Sequence, residues 1–387
     1  MEIDRKIRYG MVGGGPGAFI GEVHRMAAAL DGKIELVAGS FSSKPEKSRK
    51  MGNKLHLSED RVYTSYEEMA EEEAALPADE RIDFVSITTP NHLHFPVAKA
   101  FIEQGIHVVC DKPMTHTIEE AEELCRLVEE HDVIFALTHN YTGYPMVKEA
   151  RKLVADGKLG TLRKVVVEYP QGWLAQVGED DNIWRLDPDR AGISSAVGDI
   201  GSHAENLVEY ITGQKLTELY ADIHSFGKGY ELEDDANMLV HYDGGLRGIL
   251  YCSQVSVGEE NDLNIRLYGD EASLEWHQEN PNYLRIKYED APEEVYKRGN
   301  TYLSDAAQFG NRIPQGHPEG FIEAFANIYS NVADVITARL SGEEANALAH
   351  DFPTVYDGAH GVHFINKAIE SGKNRKWVDM EYDPTDG

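Results

Sequence analysis

The stretch IRYGMV at residues 7–12, followed directly by GGGPGAFIG at residues 13–21, decides how the first part of this chain folds. The first six residues have the composition of a short buried strand. Gly13, Gly15 and Ala18 then match the pattern G-x-G-x-x-G/A, which combines a tight turn, room for a pyrophosphate against the backbone, and close packing of helix on strand. The match predicts that the chain opens with a dinucleotide-binding unit.

The segments after the glycine loop continue as alternating helices and strands to about residue 140. A helix is predicted at 18–30, with its N-terminus facing the phosphates, and strands are predicted at 34–38, 82–87, 107–110 and 133–138. Strands separated by helices indicate a parallel, doubly wound α/β sheet, whose ligands bind beyond the carboxyl ends of the strands. We therefore predict that the coenzyme contacts the glycine loop and these strand ends, at Gly13, Gly15, Gly17, Ala18, Phe19, Ile20, Thr89, Pro90, Asn91, His94, Asp111, Lys112 and Asn140.

The end of the second predicted strand bears on the choice between NAD and NADP. A glycine fingerprint of this type normally has an Asp or Glu there, which binds the ribose hydroxyls of NAD. This chain instead has Ser42, Ser43 and Lys44, and no acid. Two hydroxyls and an ammonium suit a 2′-phosphate, although the same residues would also cap a helix that begins near Pro45. The sequence therefore favours NADP and leaves NAD open.

The pattern changes after residue 144, where strands follow one another without helices between them. Asp243-Gly244-Gly245 is a hairpin signal between two of them. The strands are predicted at 162–169, 216–226, 236–242, 246–257, 263–268, 273–276 and 283–287. We expect a mainly antiparallel sheet with a helix at about 199–212 on one face, and two closing helices at 321–340 and 355–370. The predicted domains are a Rossmann dinucleotide-binding domain at 1–144 and an α+β substrate-binding and oligomerisation domain at 145–387.

Asp199 and His203 are four residues apart in the predicted helix at 199–212, which places both side chains on one face. A carboxylate and an imidazole together can move a proton, and an unperturbed imidazole titrates near about pH 6.5, as suits a general base. The alternative is that Asp199 caps the helix and His203 lies at the edge of the core. The glycine loop favours the catalytic interpretation, since a dehydrogenase acting on an alcohol needs such a base.

Several segments together resemble the Gfo/Idh/MocA family, the family of glucose–fructose oxidoreductase and inositol dehydrogenase. They are the glycine loop with His24 and the segments 89–94, 111–113, 140–141, 184–188 and 198–203, and the resemblance covers nearly the whole chain. It implies a nicotinamide coenzyme, oxidation of a secondary hydroxyl of a sugar, glycoside or inositol, and Lys112, Asp199 and His203 as the catalytic set. Asp111 stands where the family usually has Glu, which keeps the carboxylate, and the glycine loop carries the extra residues 16–18.

The chemistry of alcohol oxidation gives each member of this set a role. His203 takes the hydroxyl proton, Lys112 donates a hydrogen bond that stabilises alkoxide character, and Asp199 orients His203 or binds a neighbouring hydroxyl. The aromatic face of Trp184 and the guanidinium of Arg185 suit a polyol, although loop tryptophans also often pack on the sheet, and the family resemblance favours Arg185 as a substrate contact. His317 is either a further hydroxyl contact or a turn residue. The predicted substrate contacts are Lys112, Tyr141, Trp184, Arg185, Asp199, His203 and His317.

The composition limits the partners of the protein. The 387 residues carry a formal net charge of −30, which opposes binding to nucleic acid or to anionic membranes. The three cysteines form no C-x-x-C pair, and His92 and His94 have no apparent third ligand, so no metal site is predicted. The sequence begins without an apolar signal region and has no apolar run that would span a membrane, from which we expect a cytoplasmic protein.

Two other functions fit the same motifs: a redox-neutral glycoside-processing enzyme that retains NAD, and a non-catalytic NAD(P)-binding regulator. A regulator has no need of an intact set of Lys112, Asp199 and His203. The strands of the second domain carry apolar residues on both alternating sets, and few helices remain to cover the second face. Together with the family resemblance, this pattern predicts a homodimer or homotetramer that pairs through the second domain.

Overall fold

The computed structural model describes residues 5–177, 183–227 and 229–385, and the chain divides into two compact units. The first unit comprises Met1–Asn140, Phe325–Ala359 and Pro384–Gly387, and the second comprises Tyr141–Ala324 and His360–Asp383. The division proposed from the sequence differs chiefly in that it assigned residues 325–359 to the second domain. A sequence pattern shows that such a segment is helical, but it does not show what the helix packs against.

The first unit is built on a parallel sheet of five strands in the order β2-β1-β3-β4-β5, which confirms the predicted doubly wound sheet. Its strands are β1 (Ile7–Gly13), β2 (Ile34–Ser40), β3 (Phe84–Thr88), β4 (His107–Cys110) and β5 (Phe135–Leu137). Its helices include α1 (Phe19–Ala29), α2 (Pro45–Lys54), α3 (Tyr66–Ala75), α4 (His94–Ile102) and α5 (Ile118–Glu130). Every residue of β3 is buried, as expected for a strand covered on both faces. The helix α5 begins with a capping box formed by Thr117 and Glu120.

The second unit is built on a sheet of nine strands in the order β13-β12-β11-β10-β6-β9-β8-β7-β14, in which only β6 and β9 pair in parallel among the described strands. The predicted, mainly antiparallel sheet is therefore confirmed. Its strands are β6 (Leu162–Pro170), β7 (Leu216–His224), β8 (Asp235–Tyr242), β9 (Arg247–Ser253), β10 (Asn264–Gly269), β11 (Ser273–His277), β12 (Tyr283–Lys287), β13 (Glu294–Lys297) and β14 (Val378–Asp379). The later helices of the chain are α6 (Pro145–Ala155), α7 (Pro188–Ala191), α8 (Ser202–Thr212), α9 (Asp305–Phe309), α10 (Phe321–Ser341) and α11 (Val355–Asn374).

One face of the nine-stranded sheet is packed and the other is open in the single chain. On β8, Met238 and Val240 are buried, while Leu239 between them is 48% exposed. On β9, Leu250 is buried and Ile249 is 38% exposed. The buried set forms one hydrophobic core with side chains of α6 and α8. The open face carries apolar side chains, so the predicted pairing through this sheet remains a prediction that the exposed surface supports.

Residues 325–359 join the first unit through α10 and the segment that follows it. Tyr329 on α10 is buried, and its hydroxyl lies 2.7 Å from His24 Nδ1 and 2.8 Å from Ser86 Oγ. The carbonyl oxygen of Pro353 accepts a hydrogen bond of 2.8 Å from the end of the edge strand β5. These contacts tie the segment to the parallel sheet.

Candidate active site

The glycine loop lies where the order of the parallel strands reverses, between β1 and β3. Gly13 ends β1 and pairs with Thr88 of β3; it has φ +89°, and a Cβ on it would lie 2.6 Å from the carbonyl oxygen of Thr88. A Cβ on Gly15 would lie 2.5 Å from the carbonyl oxygen of Phe41. Only glycine fits at either position. The loop therefore carries no side chain at Gly13 and Gly15, at the crevice where doubly wound sheets bind their dinucleotides.

Close packing between this loop and the first helix falls at Gly21. A Cβ on Gly21 would lie 2.3 Å from Gly14 Cα. The G-x-G-x-x-G/A pattern predicts this packing role for Ala18, which in the structure is only the residue before α1 and is half-buried. The extra residues of the loop delay the start of the helix, and the spacing of the glycines alone could not show the delay. Ala18 stays a predicted coenzyme contact.

The N-cap residue Ala18 gives α1 no side-chain cap, which leaves the main-chain N–H groups of the first turn available for an anion. Phe19 is 76% exposed, Gly17 is exposed with φ +85°, and Ile20 is half-buried. Arg25, further along α1, donates from Nη1 to the carbonyl oxygen of Gly14 at 3.0 Å and thereby holds the loop. Arg25 could not be identified from the sequence, because an arginine on an amphipathic helix resembles an ordinary surface charge.

Ser42, Ser43 and Lys44 follow the end of β2, where the ribose of a dinucleotide lies in folds of this type. The main-chain N–H of Lys44 donates to Ser42 Oγ at 3.2 Å, and Lys44 is the residue before the first turn of α2. Lys44 therefore stands at the N-cap position named by the helix-capping alternative, although its side chain makes no capping hydrogen bond. The side chains of Ser43 and Lys44 are nevertheless exposed, so the coenzyme alternative stays open beside it.

Two buried polar atoms at the strand ends have no hydrogen-bond partner among the described residues: Thr89 Oγ1, one residue beyond β3, and Asn140 Nδ2, which follows β5. Buried polar groups are almost always hydrogen-bonded, so both atoms indicate a ligand or solvent at these positions. Together with the bare loop at Gly13 and Gly15, they fit a dinucleotide at this edge of the sheet. Pro90 and Asn91 continue the same strand end and are half-buried.

His94 ties the ends of two neighbouring strands together. The ring is 1% exposed, with Nδ1 2.7 Å from the carbonyl oxygen of Pro113 and Nε2 2.9 Å from that of Thr89. Burial lowers the pKa of His94, although nearby carbonyl groups and Asp111 oppose this shift. The observed contacts make His94 a brace for the strand ends, and a direct contact with coenzyme remains a prediction.

Asp111 fixes the main chain at the base of Lys112. Its Oδ1 accepts hydrogen bonds from Lys112 N and Thr138 Oγ1, both at 2.9 Å, and lies 3.9 Å from His24 Nε2. Burial lowers the pKa of His24 to about 4, so its imidazole is neutral near pH 7. The Lys112–Pro113 peptide bond is cis. Lys112 is half-buried and stands just beyond the end of β4.

In the second unit, Asp199 lies in a π-helical turn, Val197–Gly201, that leads directly into α8 and His203. The predicted helix is therefore present, with a first turn wider than the α-helix that the spacing assumed. Such π turns are frequent at functional sites. The buried carboxylate of Glu233 anchors the segment before the turn, since its Oε1 accepts from Ser194 Oγ at 2.6 Å and from Val197 N at 3.0 Å.

Polar side chains hold the Asp199 carboxylate. Its Oδ2 accepts a hydrogen bond of 2.8 Å from Gln254 Nε2 and lies 3.5 Å from Arg185 Nε. The Arg185 guanidinium also lies over the ring of Trp184, 4.7 Å from its centre. The structure thus brings Trp184 and Arg185, both predicted substrate contacts, beside Asp199. Gln254 was not identified from the sequence, where nothing marks a lone glutamine that follows a strand.

His203 is 6% exposed and packs against an aromatic wall. The ring of Tyr141 meets the imidazole edge to face at 4.8 Å between ring centres. The Tyr141 hydroxyl is hydrogen-bonded to the Tyr169 hydroxyl and accepts from Asn261 Nδ2 at 3.2 Å. Burial raises the pKa of Tyr141 to about 12, so this phenol is neutral. These contacts give Tyr141 a supporting position behind His203, and its direct contact with substrate remains a prediction.

His317 lies exposed in a turn, with its Nδ1 3.3 Å from the carbonyl oxygen of Pro314. Arg298 holds the turn by donating to the carbonyl oxygens of Pro314, at 3.2 Å, and of His317. The geometry favours the turn interpretation of His317, which the sequence had left open beside a substrate contact.

The described residues contain no cluster of three or more potential metal ligands. None of the helices in the described part of the chain has both the length and the apolar run needed to cross a bilayer.

Comparison with known proteins gives matches in both parts of the chain. Residues 7–139 match the family model described as an oxidoreductase family with an NAD-binding Rossmann fold, and residues 147–275 match the GFO/IDH/MocA C-terminal domain. The chain is 33% identical to the uncharacterized oxidoreductase YfiI of Bacillus subtilis, over 98% of each chain. It is 24% identical to levoglucosan dehydrogenase of Pseudarthrobacter phenanthrenivorans, over 97% of this chain and 98% of that one.

A solved structure is similar over the same span. An inositol dehydrogenase homolog from Azotobacter vinelandii, complexed with NADH and myo-inositol, is 36% identical, with a TM-score of 0.90. The match covers 97% of this chain and 98% of that one.

Proposed function

Because the chain belongs to the Gfo/Idh/MocA family of NAD-binding oxidoreductases, we propose that it is an NAD(P)-dependent dehydrogenase that oxidises a secondary hydroxyl of a sugar, glycoside or inositol. The relatives named above support this class of substrate, since one is a levoglucosan dehydrogenase and another is an inositol dehydrogenase homolog complexed with myo-inositol. The geometry of Asp199 and His203 carries the proposal.

In that geometry the carboxylate of Asp199 is held and partly exposed, and His203 follows on the next helical turn. The Asp199 side chain is 24% exposed and that of Arg185 is 38% exposed. A carboxylate and a guanidinium together can accept from and donate to neighbouring hydroxyls, and the ring of Trp184 offers an apolar face to the C–H side of a sugar. His203, on the next helical turn, is proposed to take the proton of the reacting hydroxyl.

In the proposed mechanism the coenzyme takes part in hydride transfer, and the side chains take part in proton transfer and in binding the substrate oxygen. The nicotinamide coenzyme, when bound, accepts hydride from the carbinol carbon. His203 removes the hydroxyl proton, and Asp199 orients His203 or binds the adjacent hydroxyl. The proposal includes Lys112 on the strength of the family resemblance, as the ammonium that donates a hydrogen bond to the substrate oxygen while it gains alkoxide character. Asp111 positions the main chain of Lys112.

The coenzyme is proposed to lie along the glycine loop and the ends of β3 and β5. Among the described residues, Thr89 Oγ1 and Asn140 Nδ2 have no hydrogen-bond partner. These two atoms and the bare positions at Gly13 and Gly15 support this placement. Use of NADP at least as readily as NAD is proposed from Lys44 and its neighbouring serines, whose side chains follow the end of β2. We also propose a homodimer or homotetramer that pairs through the open face of the nine-stranded sheet.

The test is a screen for coenzyme reduction over inositols, aldoses and glycosides, with NAD and NADP supplied separately. We expect at least one polyol to give turnover, and His203→Asn to lower it by about 100-fold or more, as loss of a general base does. His363→Asn is the matched control. That histidine is also buried in the second unit, where it stacks on Tyr382 at 4.3 Å.

Two outcomes would favour the alternatives. Coenzyme that copurifies with the protein and is never exchanged, with conversion of a glycoside but no net reduction of added coenzyme, would identify a redox-neutral enzyme. Coenzyme binding without turnover of any polyol, in either direction, would identify a regulator and contradict the dehydrogenase.

A further inference from the structure

We propose that Gln254 is a positioning residue for Asp199, whose amide keeps the carboxylate ionised and in a single orientation; the catalytic part of this inference rests on the proposed function. Gln254 follows the last residue of β9 and is fully buried. Its Nε2 donates to Asp199 Oδ2 at 2.8 Å. The two residues come from different elements, so the contact is a tertiary one that the second unit has to build.

The main chain of Gln254 is fixed on both sides. Its N–H donates to the carbonyl oxygen of Asp234 at 2.8 Å, and its own carbonyl oxygen accepts from Leu174 N at 3.0 Å. With the backbone held in this way and the side chain buried, few rotamers remain open. The amide therefore presents the same edge to Asp199 whether or not substrate is bound.

The orientation of the amide group is also determined. Ser195 Oγ donates to Gln254 Oε1 at 3.2 Å, which leaves the NH₂ group to face Asp199. The opposite orientation would set Oε1 against an ionised carboxylate, and two acceptors facing each other repel. Ser195 is itself held, because its main-chain N–H donates to Glu233 Oε1 at 3.1 Å. Ser195 therefore donates to Gln254, and Gln254 donates to Asp199.

Donation to a carboxylate favours its charged form. Other groups near Asp199 have to be considered. Arg185 lies 3.5 Å away and stays protonated, so it favours the same form. The charge of Asp199 contributes to the raised pKa values of Tyr141 and Tyr169, whose main cause is burial, and both phenols stay neutral over the range of the test. His203 follows Asp199 on the next helical turn, so the experiment has to separate the contribution of its imidazole.

Two variants of Gln254 test the inference. Gln254→Met keeps the length of the side chain and removes the hydrogen-bond donor. Gln254→Glu keeps the shape of the side chain and places an acceptor against Asp199. The matched control is Gln278→Met. Gln278 is also buried in the second unit and also donates one side-chain hydrogen bond, at 3.3 Å to the Tyr144 hydroxyl. Ser195→Ala is a milder variant in case either change at Gln254 prevents folding, because it removes only the hydroxyl that orients the amide.

The first readout needs no turnover. The carboxyl carbon of Asp199 is followed by NMR through a pH titration of aspartate-labelled protein, with its signal assigned by its loss in Asp199→Asn. The titration is repeated in the His203→Asn background to remove the imidazole. We expect the midpoint to rise by about one pH unit in Gln254→Met, the size expected for a lost hydrogen bond to a charged group. It should rise further in Gln254→Glu and stay unchanged in Gln278→Met.

The second readout is kinetic, on whichever polyol the screen identifies. We expect kcat to fall by about 10- to 100-fold in Gln254→Met while the coenzyme Kd changes less than about twofold. The acid limb of the pH–rate profile should move toward neutrality with the NMR midpoint. Unchanged NMR midpoints in the Gln254 variants would overturn the inference even if the wild type is an active dehydrogenase. A shifted midpoint in a protein that oxidises no polyol would support the positioning of Asp199 and contradict the proposed function instead.

Discussion

Replacing Arg298 by methionine tests how the second unit holds the segment around His317. Arg298 is 4% exposed, and its Nη1 donates to Glu319 Oε1 at 2.8 Å. The same oxygen of Glu319 accepts from the main-chain N–H groups of Arg312 and Ile313, both at 2.9 Å. The two buried charges therefore fix a stretch of chain that has little regular structure of its own.

The size of the expected loss of stability follows from the burial of the Arg298–Glu319 ion pair. Methionine replaces most of the aliphatic stem of Arg298, so the cavity term is small, but Glu319 is left as a buried charge without its partner. Removing one member of a buried ion pair costs about 3–5 kcal/mol. For a unit of about 200 residues, each kcal/mol lowers the unfolding midpoint by about 2–4 °C, which predicts a fall of about 6–20 °C.

The assay is thermal unfolding followed by circular dichroism and calorimetry, with Arg285→Met as the control. Arg285 forms an ion pair of 2.6 Å with Glu293 in which both side chains are more than a third exposed, and such pairs contribute little. The control midpoint should stay close to that of the wild type. An Arg298→Met midpoint that falls no further than that of the control would refute the reasoning, because the buried pair would then be worth no more than an exposed one.

Three further predictions concern pH, coenzyme and assembly. Burial lowers the pKa of His24 to about 4, so its neutral form stabilises the fold above about pH 6.5, and this stability is lost as the pH falls from 6.5 toward 4. The variant His24→Gln should therefore flatten the fall of the unfolding midpoint between about pH 6.5 and 4, and an unchanged slope would contradict the assignment. Lys44→Ala should lower kcat/KM for NADP by about tenfold and leave that for NAD nearly unchanged, whereas a strong NAD preference in the wild type would show that Lys44 does not reach a 2′-phosphate. Light scattering at micromolar concentration should give the mass of a dimer or tetramer, whose interface we expect to bury more than about 1,000 Å². The variant Leu239→Glu, on the open face of the sheet, should weaken this assembly, and a monomeric wild type would rule the assembly out.

Local patterns were sufficient to predict the two sheets. The alternation of apolar strands and helices before residue 140 indicated parallel strands, and the hairpin signal at 243–245 indicated antiparallel ones, because both signals lie within a few residues along the chain. The glycine loop was located correctly for the same reason. Its packing residue was assigned to Ala18 and is Gly21, since the length of a loop insertion decides where the helix begins.

Contacts between distant segments could not be read from the sequence. The segment 325–359 packs on the first unit through Tyr329, whose partners His24 and Ser86 lie more than 200 residues away along the chain. Gln254 reaches Asp199 across 55 residues, and no local pattern distinguishes it from a surface glutamine. The periodicity of apolar residues predicts which side chains are buried. It does not predict which residue each of them contacts, because that depends on the tertiary fold.

The central claim is that Asp199 and His203 belong to a dehydrogenase site for polyols. The most direct measurement is coenzyme reduction by wild type, His203→Asn and the control His363→Asn, on the best substrate of the screen, with coenzyme affinity measured in parallel. We expect His203→Asn to bind coenzyme as the wild type does and to turn over about 100-fold or more slowly, while the control retains activity. Near-normal turnover by His203→Asn, with an unchanged pH profile, would contradict the assignment.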